Sequence, residues 1–205
     1  PTTSAVARGL AQAGFSYISE KRMIMFDIRQ IQEKVIYNSI KKHSNVQVAK
    51  DVVFGNDDAT EIDNSEWVKS TMNRLEQRFN PAEIKKIRMD CQCGYGMKEK
   101  LEMIKEWTLS STSLEDFANH EHAKEAGLFA QDGDLYLKFM FCPCPMLAHV
   151  DKLETDTWCQ CTTGYSKVLF ESAWGCAVDV ELLKSIKMGH DICLMKILPH
   201  GSMWS

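Results

Sequence analysis

The sequence contains no run of the ~20 apolar residues that a membrane-spanning helix needs. Its first residues, Pro1-Thr2-Thr3-Ser4, lack a basic region followed by an apolar stretch, so no signal peptide is expected. Basic residues are in no excess, and a net charge of −4 gives no electrostatic footprint for nucleic acid. Short basic clusters such as Lys41-Lys42 and Lys85-Lys86 read as solvated helix faces. Internal repeats and low-complexity tracts are missing. So are a Gly-rich phosphate loop, a His-Glu-x-x-His helix and a Gly-x-Ser-x-Gly elbow, each of which would have signalled a specific chemistry. These absences predict a soluble cytoplasmic chain with neither a membrane nor a nucleic acid as partner, and they leave room for a homodimer.

What is present is an ordinary globular composition with many thiols. Of 205 residues, 44% are apolar and 25% charged, enough for a core and a solvated surface. A chain of this length is one large domain or a helical module joined to an α/β core. Ile24, Ile28, Ile31, Val35 and Ile40 recur at helical spacing, as do Val68, Met72, Leu75 and Phe79. Asn64 or Ser65 is expected to cap the second stripe. Asn80-Pro81 restarts a helix whose Ile84 and Ile87 point inward, towards Cys91. Gly94 and Gly96 break it. A short helix follows from Met97, and Ser113-Leu114-Glu115-Asp116 opens another. Near residue 128 the pattern changes. Two strands flank an Asp132-Gly133 turn, a helix runs from about Thr157 to Ser172, and Val178, Val180 and Leu182 alternate with charges. A turn at Met188-Gly189-His190 leads to a last strand, Ile192 to Leu198.

The expected fold class is α+β: a helical N-terminal half, then an antiparallel sheet with a packed helix. We expect a single domain over residues 1–205, mainly helical over 1–125 and α/β over 126–205. The polar stretch from Asn56 to Asn64 is the best linker.

Six of the eight cysteines form three Cys-x-Cys pairs: Cys91/Cys93, Cys142/Cys144 and Cys159/Cys161. Cys176 and Cys193 stand alone. Two thiolates two residues apart share a face on an extended strand, because side chains alternate. Cys142-Pro143-Cys144-Pro145 is therefore the best chelating pair. In a helix the same spacing separates side chains by ~200°, so Cys159 and Cys161 cannot both face one site unless the helix starts between them. Soft thiolates suit zinc or an iron–sulfur cluster. Redox or nucleophilic cysteine is a second reading, and thiols buried as small apolar groups a third. Cys176 fits the third. His120-Glu121-His122 falls in an expected helix, where the two imidazoles diverge onto a solvated face. His149 and His190 read as a surface and a turn histidine. Trp107, Trp158, Trp174 and Tyr165 read as core.

The stretch Trp158 to Ile197 resembles the end of the 4-vinyl reductase-like domain, a family that includes small-molecule sensor domains of bacterial regulators. Cys159 and Gly164-Tyr165 match its last helix, and Ser185, Gly189-His190 and Cys193 its last two strands. That resemblance implies a ligand pocket between sheet and helices, with a zinc held beside it by Glu and Cys residues. Cys159 and Cys193 match two of those ligands. Ser185 stands where a third Cys is expected and Leu182 where the Glu is. The pairs Cys91/Cys93 and Cys142/Cys144, with Cys161, are then the remaining metal ligands to consider. More loosely, the chain resembles bacterial proteins related to the 2-amino-thiazoline-4-carboxylate hydrolase family. This implies an alternative: a metal- or cysteine-dependent enzyme acting on a small sulfur- or nitrogen-containing substrate.

Overall fold

The computed structural model describes residues 27–55, 62–201 and 203–204. Ile24 and most of the expected linker lie outside them. Among the described residues four helices come first: α1 (Ile28–His43), α2 (Val46–Phe54), α3 (Asn64–Glu76) and α4 (Pro81–Met89). Each starts on a polar residue whose side chain accepts free backbone N–H groups: Asp27, Asn45, Asp63 and Asn80. At Asn80 the capping is reciprocal, because Glu83 reaches back to the Asn80 N–H and Pro81 needs no acceptor. Asp63 caps α3 in place of the expected Asn64 or Ser65, which both lie inside the helix.

Three more helices follow, α5 (Met97–Leu109), α6 (Leu114–Asn119) and α7 (Glu121–Glu125), with Ser113 capping α6 as expected. His120 is not helical. Its backbone (φ −55°, ψ 134°) joins α6 to α7. The rings of His120 and His122 therefore do not diverge: they lie 5.6 Å apart, with His120 stacked on Trp107.

The sheet contains β1 (Leu128–Gln131), β2 (Asp134–Phe139), β3 (Val178–Lys184) and β4 (Cys193–Pro199), all antiparallel in the order β1-β2-β4-β3. The β1–β2 turn is Asp132-Gly133, both at positive φ. Alternation along the strands puts Leu128, Leu135, Leu137, Val178, Val180, Met195 and Ile197 on one buried face. Between β2 and β3 the chain makes a 3₁₀ turn at Pro145–Leu147, a second at Thr157–Cys159, and then α8 (Gln160–Trp174). The expected α+β class is therefore observed, with helices preceding an antiparallel sheet on which α8 packs. No helix among the described residues is long and apolar enough to cross a membrane.

Two cores divide the molecule, and chain order does not separate them. The sheet core takes α5 to α8 and includes Trp107, Phe117, Phe170 and Trp174. The helical core takes α1 to α4, together with Met146, Leu147, Val150, Leu153 and Trp158 from the segment that precedes α8. At the seam α8 runs against the end of α4. Gly164 makes this approach possible, since a Cβ there would sit 1.9 Å from the Met89 carbonyl oxygen.

Candidate functional site

The seam gathers the thiols. Cys91 follows α4, Cys93 lies in the loop before α5, Cys142 and Cys144 lie between β2 and the first 3₁₀ turn, Cys159 ends the second 3₁₀ turn, Cys161 lies in the first turn of α8, and Cys193 starts β4. All eight cysteines are free.

The seven thiols at the seam form two groups. In the first, Cys161 is the hub. Its thiol donates to the Cys91 carbonyl at 2.8 Å and accepts from Gln32 Nε2 at 3.8 Å and from the Cys93 backbone N–H. Cys91 donates to the Ile87 carbonyl at 2.9 Å. Cys144 lies within electrostatic reach of Cys161 and Cys142, and its sulfur accepts the Met146 N–H. In the second group Cys159 lies 3.3 Å from the Ser185 hydroxyl and within electrostatic reach of Cys142 and Cys193. Cys193 Sγ accepts the Ile186 N–H at 3.4 Å, and Cys142 Sγ accepts the Cys144 N–H.

Cys159 and Cys161 fall in different groups, while Cys144 lies within electrostatic reach of both Cys161 and Cys142 and so links the two. α8 does start between Cys159 and Cys161, but Cys159 ends the preceding 3₁₀ turn with helical backbone (φ −68°, ψ −17°), so helical spacing still sends the two thiols to opposite sides. Cys142 and Cys144 do not lie on a strand, where the expected shared face would have come from alternation. β2 ends at Phe139, before the pair, and the backbone turns into the 3₁₀ helix at Pro145, so strand alternation never reaches the two cysteines. Cys91 and Cys93 both face Cys161. Cys176 stands apart, packed against the sheet core. His149 is exposed. His190 is exposed as well, with Nδ1 3.1 Å from the Ser185 carbonyl.

Burial keeps five of these thiols protonated. It pushes Cys91 and Cys144 up to about 12 and Cys159 to about 11, and raises Cys142 and Cys161. Arg88 opposes that rise at Cys91, Cys161 and Cys144. Arg88 itself is fully buried. Its guanidinium lies 4.0 Å over the Trp158 ring and donates to the Trp158 carbonyl at 3.2 Å and to Gln32 Oε1 at 3.5 Å. Nε has no acceptor, and no carboxylate among the described residues pairs with the group. Sequence reading did not single out Arg88 or Gln32, yet the signal was present. Arg88 continues the inward Ile84 stripe four residues on, and Gln32 lies midway between Ile28 and Ile36.

Beside the second group opens a cleft of about 340 Å³, lined by Thr155, Asp156, Leu182, Ser185, Met188 and His190 among others. Among the described residues, no three His, Cys, Asp or Glu side chains are placed so that they could hold a metal ion. Instead Cys91 and Cys161 turn S–H groups to backbone carbonyls, and Cys159 meets Ser185.

A family model matches residues 25–204, which is nearly the whole described chain. The chain belongs to the family of unknown function DUF6144. No curated protein and no solved structure matches it. The match spans both cores and both thiol groups, so the seam lies within the DUF6144 unit.

Proposed function

We infer that this DUF6144 chain is a small-molecule-binding domain whose cleft adjoins a thiolate zinc site made by Cys142, Cys159 and Cys193. One observation carries the reading: Cys159 lies 3.3 Å from the Ser185 hydroxyl, on the wall of a cleft, and within electrostatic reach of Cys142 and Cys193 from two other elements. The cleft volume of about 340 Å³ suits a small ligand, and its lining mixes apolar groups (Leu182, Met188) with polar ones (Asp156, His190). Cys159, Ser185 and Cys193 are also the positions that resemble the zinc end of the 4-vinyl reductase-like domain. Cys142 would supply the thiolate missing at Ser185. The thiols reach an ion by turning from Ser185 and losing their protons, which makes binding pH-dependent. Three protein ligands leave one tetrahedral position for water or ligand. Three thiolates suit zinc better than an iron–sulfur cluster, which calls for four cysteines. The reading also requires a reducing compartment such as the cytoplasm, where thiols stay free.

The enzyme alternative rests on the same place. Cys159 is a poor free nucleophile, because burial holds its thiol at about 11. Hydrolysis there would therefore run through the metal's open position. The deciding experiment is elemental analysis of protein purified without oxygen and loaded with zinc. Cys193→Ser should lose the metal of this site, and Cys176→Ser should keep it. Equal zinc content in wild type and Cys193→Ser would sink the proposal.

A further inference from the structure

We propose that Arg88 and Trp158 hold one small monovalent anion of the halide class inside the helical core, at a site independent of the zinc reading above.

Elsewhere in the fold the same groups are matched. Arg29 meets the Glu33 carboxylate at 2.9 Å, and Arg78 meets that of Asp51 at 3.1 Å. Trp67 gives its indole N–H to the Val53 carbonyl, and Trp174 gives its own to the Thr108 hydroxyl. Arg88 and Trp158 are both buried. Yet Arg88 Nε and Trp158 Nε1 have no acceptor, and the guanidinium bonds only to neutral oxygens. A buried charge without a counter-ion and a buried donor without an acceptor are each costly.

The two side chains touch. The guanidinium carbon lies 4.0 Å from the centre of the Trp158 ring, and the same group donates to the Trp158 carbonyl at 3.2 Å. The two spare N–H donors therefore sit side by side with a full positive charge. An anion at the edge of that stack accepts from both through charge-assisted bonds. Within the chain, Cys161 is linked to Arg88 through Gln32, whose amide nitrogen lies 3.8 Å from the sulfur. Its S–H, however, goes to the Cys91 carbonyl at 2.8 Å, so Cys161 is neutral and does not supply the missing charge.

The class of ion follows from charge and size. One guanidinium is neutralised by one negative charge, whereas a dianion would leave net charge in the interior. A water molecule can accept both N–H groups but leaves the guanidinium unmatched. Close packing favours a monatomic ion over a polyatomic one. Among halides, the larger ones lose less on leaving water than fluoride does, because solvation weakens with ionic radius. Full burial means that the ion is taken up as the core closes, so it stabilises the native state as any ligand does.

The test uses the full chain in gluconate buffer, with bromide replacing gluconate at constant ionic strength. Well above the dissociation constant, each tenfold rise in bromide should raise the folded-to-unfolded ratio of wild type about tenfold, the slope for one ion. Trp158→Phe keeps a ring and removes the N–H, and should need roughly ten times more bromide for the same gain. Arg88→Met should lose the response. Crystals grown from bromide give the direct readout, an anomalous peak within hydrogen-bond distance of both Arg88 Nε and Trp158 Nε1. Should Arg88→Met fail to fold, Trp158→Phe and the wild-type crystal decide the matter. A zero slope in wild type overturns the site. Equal slopes in wild type and Trp158→Phe are a solvent effect of the salt and overturn it too, as does a crystal whose bromide peaks all lie elsewhere.

Discussion

In the sheet core the groups that meet are hydrocarbon. Phe117 stands edge-on to Trp174 at 5.7 Å, Phe170 packs on the same ring at 4.6 Å, and Leu135, Val180 and Ile197 fill the space below. In the helical core the groups that meet include a cation, an amide and several thiols. Trp67 and Trp158 are edge-on at 5.7 Å, but Trp158 also carries Arg88 on its face. Area burial is the driving force in both cores. The helical core also buries several thiols and a guanidinium, so it should respond more strongly to pH, metal and oxidant. The rigid aromatic core then serves as the frame against which the other is held.

The largest expected effect breaks that comparison most directly. In metal-free protein the stability should fall as pH rises above about 9. Unfolded thiols lose their protons near their ordinary value of 9.0, whereas Cys91 and Cys144 hold theirs to about 12 and Cys159 to about 11. The contribution is complete below the unfolded value and is lost as pH climbs towards the folded ones. The loss should be on the order of several kcal/mol by pH ~11. Urea midpoints measured across that range check it, and hydrogen exchange should show α4 opening before β2 and β4. A flat profile, or a sheet that opens first, means that the two cores do not differ as described.

A smaller effect probes the seam. Gly164→Ala places a Cβ 1.9 Å from the Met89 oxygen and 2.6 Å from its carbon, so α8 and α4 must part. Overpacking of this kind costs ~1–3 kcal/mol or more. The change should also disturb thiols on both sides, because Cys159 and Cys161 lie in the same turn region of α8. A stability change within ~0.5 kcal/mol, the range of ordinary surface substitutions, would show that the approach is not tight.

The smallest effect lies at the sheet edge. Asp179 accepts from His200 at 2.8 Å and from Lys167 at 3.4 Å, and these donors hold its carboxyl below the ordinary value. Its contribution is present above pH ~4 and is lost as pH falls further. The carboxylate is 63% exposed, so solvent screens it, and Asp179→Asn should cost only ~0.2–0.5 kcal/mol. Thermal unfolding in low and high salt is the check. A cost that persists in high salt would mean that packing, not charge, is at work there.

Much of the fold was legible because local chemistry decides it. Asn80-Pro81 and Ser113 can begin helices whatever surrounds them, and Asp132-Gly133 can form a tight turn. The alternation over Val178 to Leu182 has one buried face in any sheet. The split of Cys159 from Cys161 followed from helix geometry alone. The rest depends on contacts between distant residues. Nothing local says that Met146 to Trp158 leaves the sheet to complete the helical core. The turn at Pro145 that takes Cys142 and Cys144 off the strand is equally silent. Arg88 looked like one more basic residue beside Lys85 and Lys86, because polarity outweighed its place on the Ile84 stripe. Exceptions to binary patterning of this sort tend to mark functional positions.

The crossing segment also carries a cost in time. Arg88 donates to the Trp158 carbonyl, a partner 70 residues further along the chain. At ~5–20 residues per second, a ribosome needs several seconds to deliver that partner after α4 has emerged. Until then the first four helices lack Met146, Leu147, Val150, Leu153 and Trp158 from their interior, and Arg88 stays in water. A nascent chain stalled before residue 145 should accordingly be a client for chaperones, and one released past residue 160 should close its first core without help.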